Sequence, residues 1–134
     1  MSTPTPRDLF ARFQHNALAG AAGLDEEMLA ENVVVEQPFA PAGHRRIEGR
    51  DKVMAMTRAG REALPLVFEE FRDVVIHETT DPEVIIAEYQ MVATTPGGGT
   101  RAQAAFLVVL QARDGRIVRW REYQDRTAIA EALA

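Results

Sequence analysis

The stretch AQAAFLVVLQARDGRIVRWREYQ, residues 102–124, decides the fold of this chain. It contains two extended segments, Ala102–Ala112 and Ile117–Gln124, that are rich in apolar and β-branched residues. Asp114-Gly115 lies between them, and this dipeptide favours the tight turn of a β-hairpin. A strand of about ten residues is roughly 33 Å long at ~3.3 Å per residue, and a sheet of such strands must curve. We therefore predict a long, curved hairpin here.

Three more extended segments come before this hairpin. Residues 68–78 and 84–94 are separated by Asp81-Pro82, and a proline-glycine loop at 96–99 follows the second of them. Val33–Gln37 is a short β-branched segment that ends at a proline. The sequence therefore predicts a sheet in which the long strands are mostly antiparallel neighbours joined by turns.

The first half of the chain has helical periodicity in three segments. Thr5–Asp8 is typical of a helix N-terminus with its cap, and that helix ends before Gly20. Residues 24–30 and 50–64 predict a second and a third helix. Because helices come first and hairpin-linked strands follow, we predict an α+β fold, with a curved sheet wrapped around three N-terminal helices. The expected shape is a cone with an internal pocket, formed by a single domain over residues 1–134.

Composition excludes several classes of protein. The chain has 134 residues, 46% of them hydrophobic and 26% charged, and a net charge of −5. Disorder, collagen and coiled-coil rods do not have this composition. The negative charge repels phosphates and anionic lipids, and the longest apolar run, residues 104–110, is too short to span a bilayer. We expect no nucleic-acid or membrane partner and a cytoplasmic location. A single lysine against many arginines indicates a bacterial source.

The last strand carries the main candidate for chemistry. Side chains alternate along a strand, so Trp120 and Glu122 share one face while two arginines lie on the other. Because arginines are costly inside a cone, the face with Glu122 is the inner one. Burial beside a tryptophan raises the pKa of a carboxyl toward the range useful for acid–base catalysis. The alternatives are that Glu122 pairs with an arginine, such as Arg72 or Arg101, or lies at the rim in water.

Other candidate pocket residues are polar or aromatic. Gln37 is in phase with two inward valines, so its amide would orient a ligand or else satisfy loop backbone. Tyr89 shares a stripe with other apolar side chains, which is also compatible with a purely core position. His44 lies in the loop Pro38–Glu48, which is long enough to form a lip over the cone, or it is simply solvated. The sequence has no metal-binding motif, and no metal or other cofactor is expected.

Four short motifs resemble one known family. They are VEQP at 35–38, IEGR at 47–50, DGRI at 114–117 and REYQD at 121–125. With the order of elements, they make the chain similar to the SnoaL-like branch of the nuclear transport factor two superfamily, from about residue 8 to residue 129. The resemblance implies a cone with a pocket and, usually, a homodimer. Members include ketosteroid isomerase, polyketide cyclases, epoxide hydrolases, phenazine-biosynthesis proteins and proteins that only bind ligands.

The resemblance also assigns individual positions. Gln37 stands where ketosteroid isomerase has its aspartate base, and Phe13 and Phe106 stand where it has a tyrosine and a second aspartate. That chemistry therefore does not transfer. The phenazine-biosynthesis members look closer, because they share the E-T-x-D-P turn at 78–82 and an R-E-[F/Y] ending. Their acidic catalytic residue corresponds to Glu122, and Arg72 stands where they have a histidine.

Two functions follow as expectations. The first is a cofactor-free acid–base enzyme, such as an isomerase or a cyclase, for a small and largely apolar metabolite, cyclic compounds included. Glu122 would transfer the proton, and Gln37, Trp120 and His44 would shape the pocket. The second is a non-catalytic ligand-binding or dimeric accessory module of the same fold. We also expect a homodimer through the convex face of the sheet, where Arg119, Arg121 and Tyr123 project.

Overall fold

The computed structural model describes residues 2–133 and contains one sheet with helices at both ends of the chain. Its elements, in chain order, are α1 Pro6–Leu18, β1 Leu29–Glu36, β2 Arg46–Glu48, α2 Arg50–Ala63, β3 Val67–Glu78, β4 Val84–Thr94, β5 Arg101–Arg113, β6 Arg116–Gln124 and α3 Arg126–Ala132. Short 3₁₀ turns lie at Glu26–Met28 and Pro96–Gly98. The predicted α+β fold class is confirmed.

Helix α1 begins where the sequence predicts it. The Thr5 hydroxyl accepts a hydrogen bond from the Asp8 backbone N–H at 3.1 Å, and the Asp8 carboxylate accepts one from the Thr5 N–H at 2.9 Å. This reciprocal cap satisfies two of the free N–H groups at the helix start. Leu9, Phe10 and Ala17 form the buried face of the helix, which packs into the concave side of the sheet.

The sheet is curved and open, with strand order β2-β1-β6-β5-β4-β3. Every neighbouring pair is antiparallel except β1 and β6, which are parallel. The long strands β4 and β5 pair along their whole lengths, from Val84 opposite Gln111 to Thr94 opposite Arg101. Alternate residues of β4 are buried, including Ala87 and Tyr89, so its concave face forms much of the core.

Three elements differ from the sequence prediction. The second helix is only the 3₁₀ turn Glu26–Met28, because Leu29 already belongs to β1 and is fully buried there. Within the expected loop 38–48, residues 46–48 form strand β2 against β1. Helix α3 was not predicted at all; the Asp125 carboxylate caps it by accepting from the Ala128 N–H at 3.0 Å. The cone is therefore filled by two N-terminal helices and closed by one C-terminal helix.

Strand β6 mostly follows the predicted alternation. Trp120 is 2% exposed on the concave side, while Arg119 and Arg121 lie on the convex side against Glu36 of β1. Ile117, which simple alternation places with the arginines, is instead fully buried. A register shift in the β5–β6 ladder, opposite this position, changes the phase of the strand.

The convex face carries a charge cluster around Glu36. Its carboxylate accepts from Arg119 at 2.7 Å and from Arg121 at 3.4 Å, and lies 3.5 Å from Arg46. The Glu36 side chain is only 15% exposed, so these ion pairs are partly shielded from water. Nearby, Tyr123 packs edge-on against an exposed phenylalanine at 5.5 Å. Among residues 2–133, no helix is both long enough and apolar enough to cross a membrane.

Candidate active site

A cavity of about 380 Å³ lies between α1, α3 and the concave face of the sheet. Such a volume is within the range of about 300–1,000 Å³ found for small-molecule sites. Its walls are largely apolar, and helix α3 closes one side with Ala128, Ile129, Ala132 and Leu133. The polar residues along its wall are Thr95, Gln103, Glu122, Gln124 and Tyr89, of which Gln103 directs its amide oxygen to Arg72. The cavity is thus an apolar chamber with few polar groups.

Aromatic rings form one wall of the cavity. Tyr89 and Phe106 are stacked, with ring centroids 5.5 Å apart and planes 9° from parallel. Their stacking follows from the sheet register, which places the two residues directly opposite each other on β4 and β5. Phe13 of α1 reaches the same wall and packs 4.7 Å from the ring of Trp120. These rings make this part of the wall apolar and aromatic.

Gly23 makes room for the ring of Phe13. A Cβ atom at position 23 would lie 2.5 Å from Cε1 of Phe13, which is closer than van der Waals contact allows. Both residues line the cavity. The turn after α1 therefore needs a glycine here so that the aromatic ring can take its place in the wall.

Glu122 is the only carboxyl on the wall formed by the described residues. One of its oxygens accepts a hydrogen bond from the Trp120 indole N–H at 3.3 Å, and the other accepts from the Gln124 amide at 2.5 Å. Burial raises the pKa of Glu122 above its ordinary value, and these two hydrogen bonds oppose the rise. The balance favours a carboxyl that exchanges its proton more readily near neutral pH than an exposed glutamate does.

The ion-pair alternative for Glu122 is wrong. The two arginines considered from the sequence are occupied elsewhere: Arg72 lies 2.5 Å from Glu70, and Arg101 lies 2.9 Å from Glu69. Among the described residues, no cation lies within salt-bridge distance of Glu122. Its carboxylate is therefore stabilised by hydrogen bonds from neutral groups alone.

A hydrogen-bonded chain connects Glu122 to helix α3. The guanidinium of Arg126 donates to the amide oxygen of Gln124 at 3.0 Å, and the amide nitrogen of Gln124 donates to Glu122. Because a guanidinium can only donate, it fixes which end of the amide faces Glu122. The sequence prediction did not include Gln124 or Arg126 as site residues. The alternation of β6 was a usable signal for Gln124, which is in phase with Glu122.

Tyr89 is both a core residue and a wall residue. Its side chain is 3% exposed, and it lines the cavity. Burial, and secondarily the charge of Glu122, raise the pKa of the Tyr89 hydroxyl well above its ordinary value. The hydroxyl therefore keeps its proton at physiological pH and remains a hydrogen-bond donor.

The structure brings four of the predicted site residues together. Glu122, Tyr89, Phe13 and Phe106 all line the cavity. Trp120 lies behind the wall: it is buried, packs against the ring of Phe13 and donates its indole N–H to Glu122. Its role in the structure is thus to support Glu122 rather than to face the cavity.

Three predicted residues lie outside the cavity wall. The backbone of Gln37 closes the loop after β1 by bonding Arg45 at 2.9 Å, and its side chain is not part of the wall. His44 is exposed in that loop. Arg72 lies on the convex side, where it donates to Gln103 at 2.9 Å. A register shift between Phe68 and Glu70 reverses the phase of β3, so that Arg72 points outward.

Among residues 2–133, no group of three or more His, Cys, Asp or Glu side chains is placed to hold a metal. The chemistry that the wall itself offers is proton transfer at Glu122 and hydrogen-bond donation by Tyr89.

Comparison with known proteins agrees with this geometry. The model of the SnoaL-like domain matches residues 7–120. The chain belongs to the SnoaL-like family. An uncharacterised PhzA/B-like protein of Pseudomonas aeruginosa is 37% identical over 103 residues, which cover 75% of this chain and 70% of that protein. The family predicted from the sequence, and its similarity to phenazine-biosynthesis members, are therefore confirmed.

Solved structures share the fold of this SnoaL-like chain. A Bacillus subtilis protein provisionally named as an isomerase superposes with a TM-score of 0.84 at 26% identity, covering 96% of this chain and 91% of that one. A Xanthomonas campestris protein provisionally named as a polyketide cyclase superposes with a TM-score of 0.77 at 18% identity, covering 96% of each chain. The second similarity is evidence for the fold alone.

Proposed function

We propose that this SnoaL-like protein is an acid–base enzyme that moves a proton on a small, largely apolar metabolite. The observation that carries the proposal is the Glu122 carboxyl, which has no cationic partner among the described residues and borders an apolar cavity. A carboxyl whose pKa is raised by burial transfers protons efficiently near neutral pH. The provisional names of the similar structures, isomerase and polyketide cyclase, are compatible with such chemistry.

Each side chain has a defined part in the proposed reaction. The Glu122 carboxylate takes a proton from a carbon next to a carbonyl group and returns it to another position as the carboxylic acid. The N–H groups of Trp120 and Gln124 stabilise its charged form, and hold its oxygens in place. The Tyr89 hydroxyl stabilises the negative charge that develops on the substrate oxygen. The aromatic wall binds the ring or chain of the metabolite.

The test uses 2-tetralone, a two-ring ketone whose α-hydrogens exchange slowly with solvent. Proton NMR in D₂O measures the exchange rate with the wild type, with Glu122→Gln and with Glu62→Gln. Glu62 is exposed on α2 and serves as the control for the loss of one charge. We expect the wild type and the control to accelerate exchange, and Glu122→Gln to lose about 10²–10⁴-fold of that acceleration. Equal acceleration by all three proteins would contradict the assignment of Glu122.

A ligand-binding module without catalysis is the second candidate. The observation in its favour is that Glu122 and Tyr89 are the only titratable groups on the wall formed by the described residues. Such a module would bind two-ring compounds without accelerating exchange in any of them. A cytoplasmic location and a second copy of the chain as partner belong to the proposal as expectations from the sequence.

A further inference from the structure

We propose that the cavity selects its ligand by charge: it takes ring compounds that carry a hydroxyl or amino group and rejects carboxylates of the same shape. This inference names the substrate class of the cavity described above and rests on the proposed function to that extent. It does not depend on catalysis, since it concerns which molecules enter and where their polar group lies.

The first argument is the charge of the wall. Among the described residues that line the cavity there is no lysine, arginine or histidine, whereas Glu122 contributes a carboxyl. The nearest guanidinium in the hydrogen-bond chain, that of Arg126, is exposed and already bonded to Gln124. A carboxylate that enters this chamber would lose its hydration without meeting a cation, which is costly in an apolar environment.

The second argument is the count of free donors and acceptors. The amide of Gln124 is used at both ends, on Glu122 and on Arg126, and the Trp120 N–H is also used on Glu122. Each oxygen of an ionised carboxyl has a second acceptor site, so Glu122 can still accept a bond from a ligand. A ligand that offers an O–H or N–H fits this acceptor, whereas an anionic oxygen is repelled by it.

The third argument is the shape and chemistry of the aromatic wall. The stacked pair Tyr89 and Phe106, with Phe13 beside them, makes this part of the cavity wall aromatic. Aromatic side chains bind other rings by stacked or edge-on contacts, and they supply no full positive charge to pair with an anion. A ring compound with an amino group thus gains from both the wall and Glu122. The same compound with a carboxylate gains only from stacking.

The test compares three two-ring ligands by isothermal titration calorimetry at pH 8. They are 2-naphthol, 2-(aminomethyl)naphthalene and 2-naphthoate, which share one ring system and differ in their polar group. We expect 2-naphthoate to bind the wild type at least about tenfold more weakly than the other two, because it places a second negative charge near Glu122. Failure of all three to bind would refute the inference, since the cavity would then not accept two-ring ligands.

A pair of variants assigns the selection to Glu122. In Glu122→Gln the repulsion is removed while the cost of desolvating a carboxylate remains, so the difference in affinity between 2-naphthoate and 2-naphthol should narrow by at least about threefold. The control Glu62→Gln removes the same charge from an exposed position on α2, and it should keep the wild-type discrimination. Equal affinities of the wild type for 2-naphthoate and 2-naphthol would overturn the inference. So would a discrimination that is unchanged in Glu122→Gln.

These outcomes separate the inference from the proposed function. If 2-naphthoate binds as tightly as 2-naphthol while 2-tetralone exchange still depends on Glu122, only charge selection is refuted. If the discrimination narrows in Glu122→Gln but the wild type never accelerates exchange, charge selection stands and the catalytic proposal is refuted.

Discussion

Replacing Glu122 by glutamine should change how the stability of the protein depends on pH. Burial raises the pKa of Glu122 above its ordinary value, so the folded state holds this proton at a pH where the unfolded state has released it. The contribution of Glu122 to stability is therefore fully present below the unfolded pKa and is lost as pH rises through the folded one. Because glutamine does not titrate, the stability of the variant does not decrease in this pH range for this reason.

The difference in the free energy of unfolding between the wild type and Glu122→Gln has two contributions of opposite sign. Between the unfolded-state and folded-state pKa values of Glu122, the free energy of unfolding of the wild type falls relative to that of the variant. The fall is at most about 1.4 kcal/mol per pH unit, which is the limit for one proton. The variant has a fixed penalty, because the N–H groups of Trp120 and Gln124 both donate to residue 122. The single amide oxygen of glutamine cannot serve both donors well, and a buried donor without a partner costs about 1–3 kcal/mol. We therefore expect the wild type to be more stable at pH 4 and its advantage to shrink toward pH 8.

Urea unfolding of both proteins between pH 4 and pH 9, followed by circular dichroism, measures this difference. The Glu62→Gln variant controls for the loss of one charge from a protein with a net charge of −5. Its exposed position should change stability by no more than about 0.5 kcal/mol. If the free energy of unfolding of the wild type instead rises relative to that of Glu122→Gln as pH rises, the charged carboxylate is the stabilised form. The reasoning about burial would then be refuted.

Three further outcomes are expected. Arg126→Met should raise the pKa of Glu122, measured by carbon-13 NMR, because the Gln124 amide is then free to turn its oxygen toward the carboxylate. Arg126→Lys still donates a hydrogen bond and should keep the pKa of Glu122 close to the wild-type value. An unchanged pKa in both variants would contradict the role of Arg126. Gly23→Ala should lower stability by about 1–3 kcal/mol in thermal unfolding, because the added methyl group collides with Phe13, whereas an unchanged melting temperature would show that the ring has another place to go. Sedimentation at micromolar concentration should give a homodimer through the convex face, and a single species of 14.8 kDa would contradict it.

The elements predicted well are those whose signal is local. The cap at Thr5–Asp8, the Asp114-Gly115 turn and the alternation along β6 each depend on neighbours in the sequence. From them the α+β fold and the inward position of Glu122 could be derived. Alternation shows which face a side chain takes but not how deep it lies, which is why Trp120 was expected on the wall and lies behind it.

The features that were missed depend on contacts between distant segments or on a shift in phase. Helix α3 has seven residues and packs against β5, and its sequence alone is too short to stand as a stable helix. Arg72 was assigned to the pocket from the family resemblance, and the bulge in β3 that turns it outward cannot be seen in the sequence. His44 was expected over the cone, but its loop is held at the edge of the sheet by the pairing of Val35 with Ile47.

The parallel pairing of β1 with β6 has a consequence for how the protein folds. Glu36 and Arg121, neighbours in the finished sheet, are 85 positions apart in the chain. Closing a loop of that length costs about 4 kcal/mol of chain entropy, whereas the hairpins from β3 to β6 close over short turns. On the ribosome, β1 emerges early and has only the three-residue strand β2 as a partner until almost the whole chain has been made. The hairpins should therefore form first, and β1 should dock late, beside the strand that carries Glu122.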